Sequence, residues 1–332
     1  MSTHQVILLP SKHHFLTSSK QSLLHAGLES GLNLKYGCDG GNCGECMIKL
    51  VSGNLHSIQH SDFVLSAIQK RQQHYLSCCH AAISDVQIEA LEISSVSEIP
   101  EQNIQAKVYK MERLSDDVMS IALKTPRSQP LHFFAGQHVT LTLDQNISRN
   151  KSIASCPCDG LKPEFHVKKR KGDAFSEYVF NHLKKNTPVQ MNGPWGNFVM
   201  DDDSTRPQVL IAFDTGFASI KSLIEHAIAL EKEQPINFYW LMTPENQPYM
   251  ENYCRSIAHA LDNFHYQPMF IKERSKGAIA KMVNEILQME KAIKHSDVYV
   301  TLPVECRAEA ETMLIKAGID DRHWRIDSIR RI

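Results

Sequence analysis

Residues 36–50 read YGCDGGNCGECMIKL, with four glycines and three cysteines between Gly37 and Cys46. Thiols this close together on so permissive a backbone suit a disulfide scaffold, a zinc knuckle or an iron–sulfur cluster. Composition bears on the choice. The chain has nine cysteines, and its first residues, MSTHQVILLPSKHHFL, lack the basic start, long apolar core and cleavage site of a signal peptide. That pattern predicts a cytoplasmic, reducing setting, where thiols bind metal more often than they cross-link. A formal charge of −1 gives no reason to expect nucleic acid as a partner. No apolar run approaches the length of a membrane-spanning helix.

The spacing then discriminates. Cys38, Cys43 and Cys46 stand as C-x4-C-x2-C, and YLSCCH supplies Cys78 and Cys79 further along. Zinc sites usually pair two C-x2-C knuckles, and only one is present. C-x4-C-x2-C followed by a distant cysteine is the plant-type [2Fe–2S] spacing. Glycines let the loop wrap closely around such a cluster with its N–H groups aimed at sulfur. The flanks read as a hairpin (HQVILLPS, HHFLTS), a helix (QSLLHAGLESG) and strands (ECMIKLVSG, DVQIEAL). Together residues 1–93 resemble the ferredoxin β-grasp fold. YLSCCHAAISDVQI resembles the ending of ferredoxin domains in multidomain reductases. By that resemblance Cys78 is the fourth ligand, and Cys79 is a spare thiol where a glutamine usually follows.

A polar linker, 94–103, leads into short strand-like runs over 104–203, such as IQAKVYKME, VMSIALKT and HVTLTLD, as an antiparallel barrel requires. Within it, SRNKSIAS, GDAFSEYVF and GPWGNF occur in the order found in the flavin-binding barrel of the ferredoxin–NADP reductase superfamily, which this region resembles. The resemblance implies FAD held through Arg149, Ser152, Gly172 and Ser176. Arg149 would meet phosphate with its forked guanidinium, Ser152 would bond the flavin edge, and Gly172 and Ser176 precede a helix whose free N–H groups favour phosphate. Lys151 stands where the family has a tyrosine that stacks on the flavin, which predicts weaker flavin retention.

Residues 204–332 alternate strand and helix, from QVLIAF to ECRAEAETMLIKAG, as a doubly wound parallel α/β domain does. This part resembles the superfamily's pyridine-nucleotide domain. Of the family's nucleotide-loop residues, Thr215 and Gly216 are kept, whereas Phe213 and Asp214 replace two glycines. A carboxylate in a pyrophosphate cradle predicts weakened NAD(P)H binding, by about a kcal/mol. Thr301-Leu302 replaces a Cys-Gly pair, and Asp327 keeps a C-terminal acid.

The expected fold class is thus multidomain α+β and α/β: a β-grasp ferredoxin, a flavin-binding barrel and a nucleotide domain. A hydride carries two electrons and a [2Fe–2S] cluster accepts one, so a flavin between them makes an electron converter. The whole resembles oxygenase reductase components and CDP-deoxyglucoseen reductases. That implies electron flow from NAD(P)H through FAD to the cluster and on to a redox partner protein such as an oxygenase or dehydratase. The competing expectation is a degenerate reductase that holds a cluster as a relay or assembly subunit without oxidising NAD(P)H. Exposed acids in the thiol loop, Asp39 and Glu45, are expected to meet the partner. Seventeen histidines and the Cys156-Pro-Cys158 turn carry no clear site. No catalytic triad or carboxylate pair stands out.

Overall fold

The computed structural model describes residues 2–144, 147–243 and 247–329. Three main sheets follow one another along the chain. The first contains β1 (Thr3–Leu9), β2 (His14–Ser18), β3 (Met47–Ser52), β5 (His74–Leu76) and β7 (Val86–Glu89), in the order β2-β1-β7-β3-β5. Between β3 and β7 a second, two-stranded sheet pairs β4 (Leu55–Ser57) with β6 (His80–Ala82). Helix α1 (Leu23–Glu29) begins at Ser22, whose side chain accepts from the His25 N–H, and buries Leu23, Leu24 and Leu28. A five-residue helix, α2 (Ala67–Arg71), carries a capping box from Ser66 and Gln69. Parallel pairing of β1 with β7 places α1 over one face, the β-grasp arrangement. The sequence pattern marked neither α2 nor the strands β4–β6. They are short and lack a clean period.

The second main sheet is antiparallel: β8 (Gln102–Arg113), β9 (Val118–Lys124), β10 (His138–Thr142), β11 (Ser148–Ser152), β12 (Glu164–Lys168) and β13 (Pro188–Trp195). Its order is β11-β10-β13-β8-β9-β12, and a bridge between Ile153 and Phe165 joins the two ends into a barrel. Alternating residues such as Ile104, Ala106 and Val108 fill the inside together with Phe165 and Phe175, each 2% exposed or less. Helix α3 (Ala174–Asn181) closes the end below β12.

The third main sheet is wholly parallel: β14 (Gln208–Phe213), β15 (Ile236–Met242), β16 (Phe264–Phe270), β17 (Asp297–Pro303) and β18 (Trp324–Ile329). Helices α4 (Phe217–Ala229) and α5 (Glu251–Ala260) pack on one face, and α6 (Lys276–Met289) and α7 (Arg307–Lys316) on the other. Strands β14 and β17 are buried along their whole length, as expected of a sheet covered on both sides. The order β16-β15-β14-β17-β18 reverses direction between β14 and β17. A ligand crevice belongs at that switch point, beyond the carboxyl ends of the strands. Among the described residues no helix is long and apolar enough to cross a membrane.

Candidate functional sites: a thiol loop and an interdomain cavity

The thiol loop is built by glycine. Gly41 and Gly44 hold φ of +74° and +81°, and a Cβ on Gly44 would lie 2.4 Å from the Phe63 ring. A larger residue there would have to displace an aromatic side chain. With the turns so fixed, backbone N–H groups point at sulfur: Asn42 donates to Cys38 Sγ at 3.4 Å and Glu45 to Cys43 Sγ at 3.5 Å. Cys46 and Cys78 lie Sγ to Sγ at 3.3 Å, while the Cys38 and Cys43 thiols hydrogen-bond each other. Four thiols therefore divide two and two. Among the described residues no three His, Cys, Asp or Glu side chains converge as a single-ion site would need. A two-iron cluster, with two thiolates on each iron, fits this division.

The pairing splits the thiols: Cys38 and Cys46 are shifted toward the thiolate, and Cys43 and Cys78 away from it. Contact with Cys78 pulls the Cys46 thiol down to about 6, and the same contact pushes Cys78 up. Burial raises Cys38, but N–H donors from Gly40 and Asn42 outweigh it and leave that thiol lowered. Cys38, Cys46 and Cys78 are buried, whereas Cys43 is exposed.

One residue of the loop departs from expectation. Asp39 is only 3% exposed and does not form part of an acidic surface. It pairs with His25 at 2.9 Å and accepts from Arg127 at 3.4 Å, and its N–H donates to the Arg127 carbonyl at 2.8 Å. Beside it, the His132 ring packs on Tyr36 at 4.0 Å between centroids and hydrogen-bonds the Gly37 backbone. Burial holds His132 at about 4, so it is a neutral ring at physiological pH. These contacts seat the Cys38 side of the loop on the barrel. Glu45, by contrast, is exposed and pairs with Lys35 at 3.5 Å.

A cavity of about 530 Å³ opens between β10–β12 of the barrel and the switch point of the parallel sheet. Of the residues singled out by sequence, Arg149, Lys151, Ser152, Thr215 and Asp327 line it; Gly172, Ser176 and Gly216 do not. Ser176 is buried and ties the preceding turn, accepting from the Arg170 N–H at 3.0 Å. Gly172 sits at φ +74° with open space where a Cβ would be. Gly216 is a packing glycine, for a Cβ there would lie 2.2 Å from Thr301 Oγ1. Arg149 is ion-paired with Asp173 just before α3. Lys151 places its ammonium 5.5 Å from the centre of the Phe175 ring.

Asp214 overturns the expectation of a repulsive cradle. Its carboxylate is 3% exposed and accepts from Lys168 at 2.7 and 2.8 Å and from Arg274 at 2.9 Å. Two cations thus neutralise it. Phe213 lies inside the core with the Arg274 guanidinium 5.3 Å above its ring, away from any ligand path. Asp214 holds φ +52°, a conformation in which Asp is tolerated better than most residues. Neither substitution presents a bare carboxylate to a diphosphate.

Beside Asp327, the wall holds polar residues that carry no local sequence signal. Asp327 on β18 accepts from Ser219 at 3.3 Å and from Ser152, and burial pushes its carboxyl upward against those bonds and the nearby His138. In the cavity wall, buried His166 bridges the Tyr249 hydroxyl at 2.9 Å and Glu164 at 3.0 Å. Lys221 then binds Glu164 at 3.2 Å and Glu225 at 2.7 Å, which joins β12 to α4. Only Asp327 had a sequence signal, as an acid near the C-terminus. Two polar atoms of the cavity residues, Arg149 Nε and Ser328 Oγ, are buried and unbonded among the described residues. Groups of that kind, with several cations around them, suit an anionic, hydrogen-bonding ligand such as a flavin dinucleotide.

Known proteins carry the same parts. Residues 6–82 match the 2Fe-2S iron-sulfur cluster binding domain, and residues 105–200 match the oxidoreductase FAD-binding domain. The chain is 31% identical to terephthalate 1,2-dioxygenase reductase component 1 of Comamonas sp, across 71% of this chain and 70% of that protein. It is 29% identical to the CDP-6-deoxy-L-threo-D-glycero-4-hexulose-3-dehydrase reductase of Yersinia pestis, across 80% and 79%. Its fold is similar to that of the Amycolatopsis cytochrome P450 reductase GcoB, with a TM-score of 0.62 at 20% identity over 98% of both chains. The chain belongs to the iron–sulfur flavoprotein reductases of the ferredoxin–NADP reductase superfamily, with a plant-type [2Fe–2S] domain ahead of the reductase, which pass electrons from NAD(P)H through FAD to the cluster.

Proposed function

We propose that Cys38, Cys43, Cys46 and Cys78 hold the cluster, and that the interdomain cavity holds FAD with the nicotinamide arriving at the switch point. The observation that carries this reading is the pairing of four thiols two and two, three from the glycine-shaped loop and Cys78 from the turn between β5 and β6. When bound, FAD would accept a hydride and release its electrons singly to a cluster that takes one at a time. The protein's own residues do the rest. Arg149 and Lys151 supply positive charge on the cavity wall, and Ser152 supplies a hydroxyl next to Asp327. Thr215 lines the mouth of the crevice, while Gly216 keeps β14 close to β17. Gly172 and Ser176 act indirectly: they shape the turn that carries Asp173, the partner of Arg149.

The domain boundaries we assign are 1–93, 94–103 as linker, 104–203 and 204–332. They are supported by the spans of the three main sheets. The acceptor is a separate redox protein of the oxygenase or dehydratase kind, by likeness to the relatives named above. A cytoplasmic location is supported by nine free cysteines. The relay-only reading drew on Asp214 and Phe213, and both are turned away from the ligand path.

The test is direct. Protein reconstituted with FAD, iron and sulfide is mixed anaerobically with NADH or NADPH, and the visible spectrum is recorded. Bleaching of flavin and then cluster absorption is the expected result. An unchanged spectrum with both nucleotides, at full flavin and iron content, would leave only the relay.

A further inference from the structure

Cys79 is not a bystander. Its side chain is fully buried, and its Sγ lies 3.5 Å from Cys78 Sγ. Behind it stands Gln59, whose Nε2 reaches the Cys78 carbonyl at 2.9 Å and Cys79 Sγ at 3.7 Å. That amide has two hydrogens, one for each acceptor. With the Cys79 sulfur accepting from Gln59, its S–H is left to donate elsewhere. Two acceptors are in range: the His60 carbonyl at 3.9 Å and Cys78 Sγ at 3.5 Å. The nearer is also the stronger once Cys78 carries the charge of a thiolate ligand. Gly41 makes room for this sulfur, since a Cβ there would lie 2.7 Å from it.

We infer that the Cys79 thiol donates a hydrogen bond to the Cys78 ligand sulfur, oriented by Gln59, and that this bond raises the reduction potential of the cluster. The inference rests on the assignment of Cys78 as ligand. Its physical basis is charge. The cluster gains one electron, and hence one unit of negative charge, when it is reduced. A donor aimed at a ligand sulfur stabilises the more negative state more, and hydrogen bonds to the sulfurs are a known control of cluster potential. Cys79 is thus a positioning and tuning residue rather than a ligand. It makes the cluster easier to reduce from the flavin side.

The test compares Cys79→Ala, Cys79→Val and Cys79→Ser with wild type after reconstitution. Iron content is measured first. The midpoint potential then comes from a dye-equilibrated titration followed by visible absorption and low-temperature electron paramagnetic resonance. The alanine and valine variants keep the cluster and shift it to a more negative potential; serine, which keeps a donor, returns it toward wild type. Iron–sulfur stretching bands in resonance Raman spectra should shift further on transfer to D2O in wild type and serine than in alanine, where only the backbone N–H donors to sulfur remain. Equal shifts in alanine, valine and serine would reduce Cys79 to packing and overturn the inference, as would no shift in any of them. Loss of the cluster in Cys79→Ala with retention in Cys78→Ala would overturn it differently, by showing that the ligand assignment is exchanged.

Discussion

The doubly paired carboxylate of Asp214 gives the sharpest test of how the nucleotide site is built. Lys168→Met removes one of its two cations and keeps most of the side-chain volume. Deleting the partner of a buried charge typically costs about 3–5 kcal/mol when nothing else compensates it. Here Arg274 remains at 2.9 Å, with its own side chain 28% exposed, so about half of that cost is expected, ~2 kcal/mol. Asp214→Asn should cost about 1 kcal/mol, because a neutral amide still bonds Lys168 and Arg274, and Lys168 keeps Asp117 at 3.4 Å. The double variant should recover about 1 kcal/mol or more relative to the sum, the signature of two groups in direct contact. The assay is a double-mutant cycle in denaturant. It is followed through the fluorescence of Trp240, whose indole N–H donates to the Asp214 carbonyl at 3.0 Å. A coupling near zero, with Lys168→Met costing under ~0.5 kcal/mol, would mean the carboxylate is not held by Lys168. Asp214→Gly should then improve the Kd for NADH. If the pair is real, that change leaves two uncompensated cations and removes a structural anchor, and any gain in affinity carries a loss of stability.

Three other outcomes are expected. Lys151→Tyr should raise flavin retained per chain after dialysis, since an aromatic ring can stack where an ammonium cannot; unchanged retention at equal folding would remove stacking from the account. Gly216→Ala should lower the thermal midpoint, by about 1–3 kcal/mol of stability, because its methyl would lie 2.2 Å from Thr301 Oγ1; Thr301→Ala in the same chain should restore part of it. Arg127→Ala should loosen the seat of the thiol loop, read as faster proteolysis near residue 100 and a slower flavin-to-cluster step in stopped flow. Pairing with Asp39 raises the His25 pKa above its ordinary 6.5, so its contribution is complete below that value and is lost as pH rises through the raised one. Proteolysis should therefore quicken with alkaline pH in wild type and respond little in His25→Gln.

What the sequence disclosed, it disclosed where local chemistry fixes spacing. Cys38, Cys43 and Cys46 are separated as they are because one short loop must bring its sulfurs around one small group, and no distant residue can alter that count. The alternation of β14 to α7 is legible for a similar reason: each strand and helix buries its own face, so the period is written into neighbouring residues. Charges were read less well. Asp39 and Asp214 appear in sequence as unpaired acids, yet Arg127 stands 88 positions from the first, and Lys168 and Arg274 stand 46 and 60 from the second. Long-range partners of this kind leave no local pattern. For Ser176 and Gly216 the motif names a residue without saying what it faces: in the structure Ser176 bonds the Arg170 N–H and Gly216 packs against Thr301.

The asymmetry of the thiol loop has a consequence for how an acceptor approaches. Its Cys38 side is seated on the barrel through Asp39, Gly37 and Tyr36, while Cys43 opens to solvent. An electron can therefore enter by one face and leave by the other, like goods through a room with two doors. An acceptor that approaches Cys43 meets residues other than those held by Arg127.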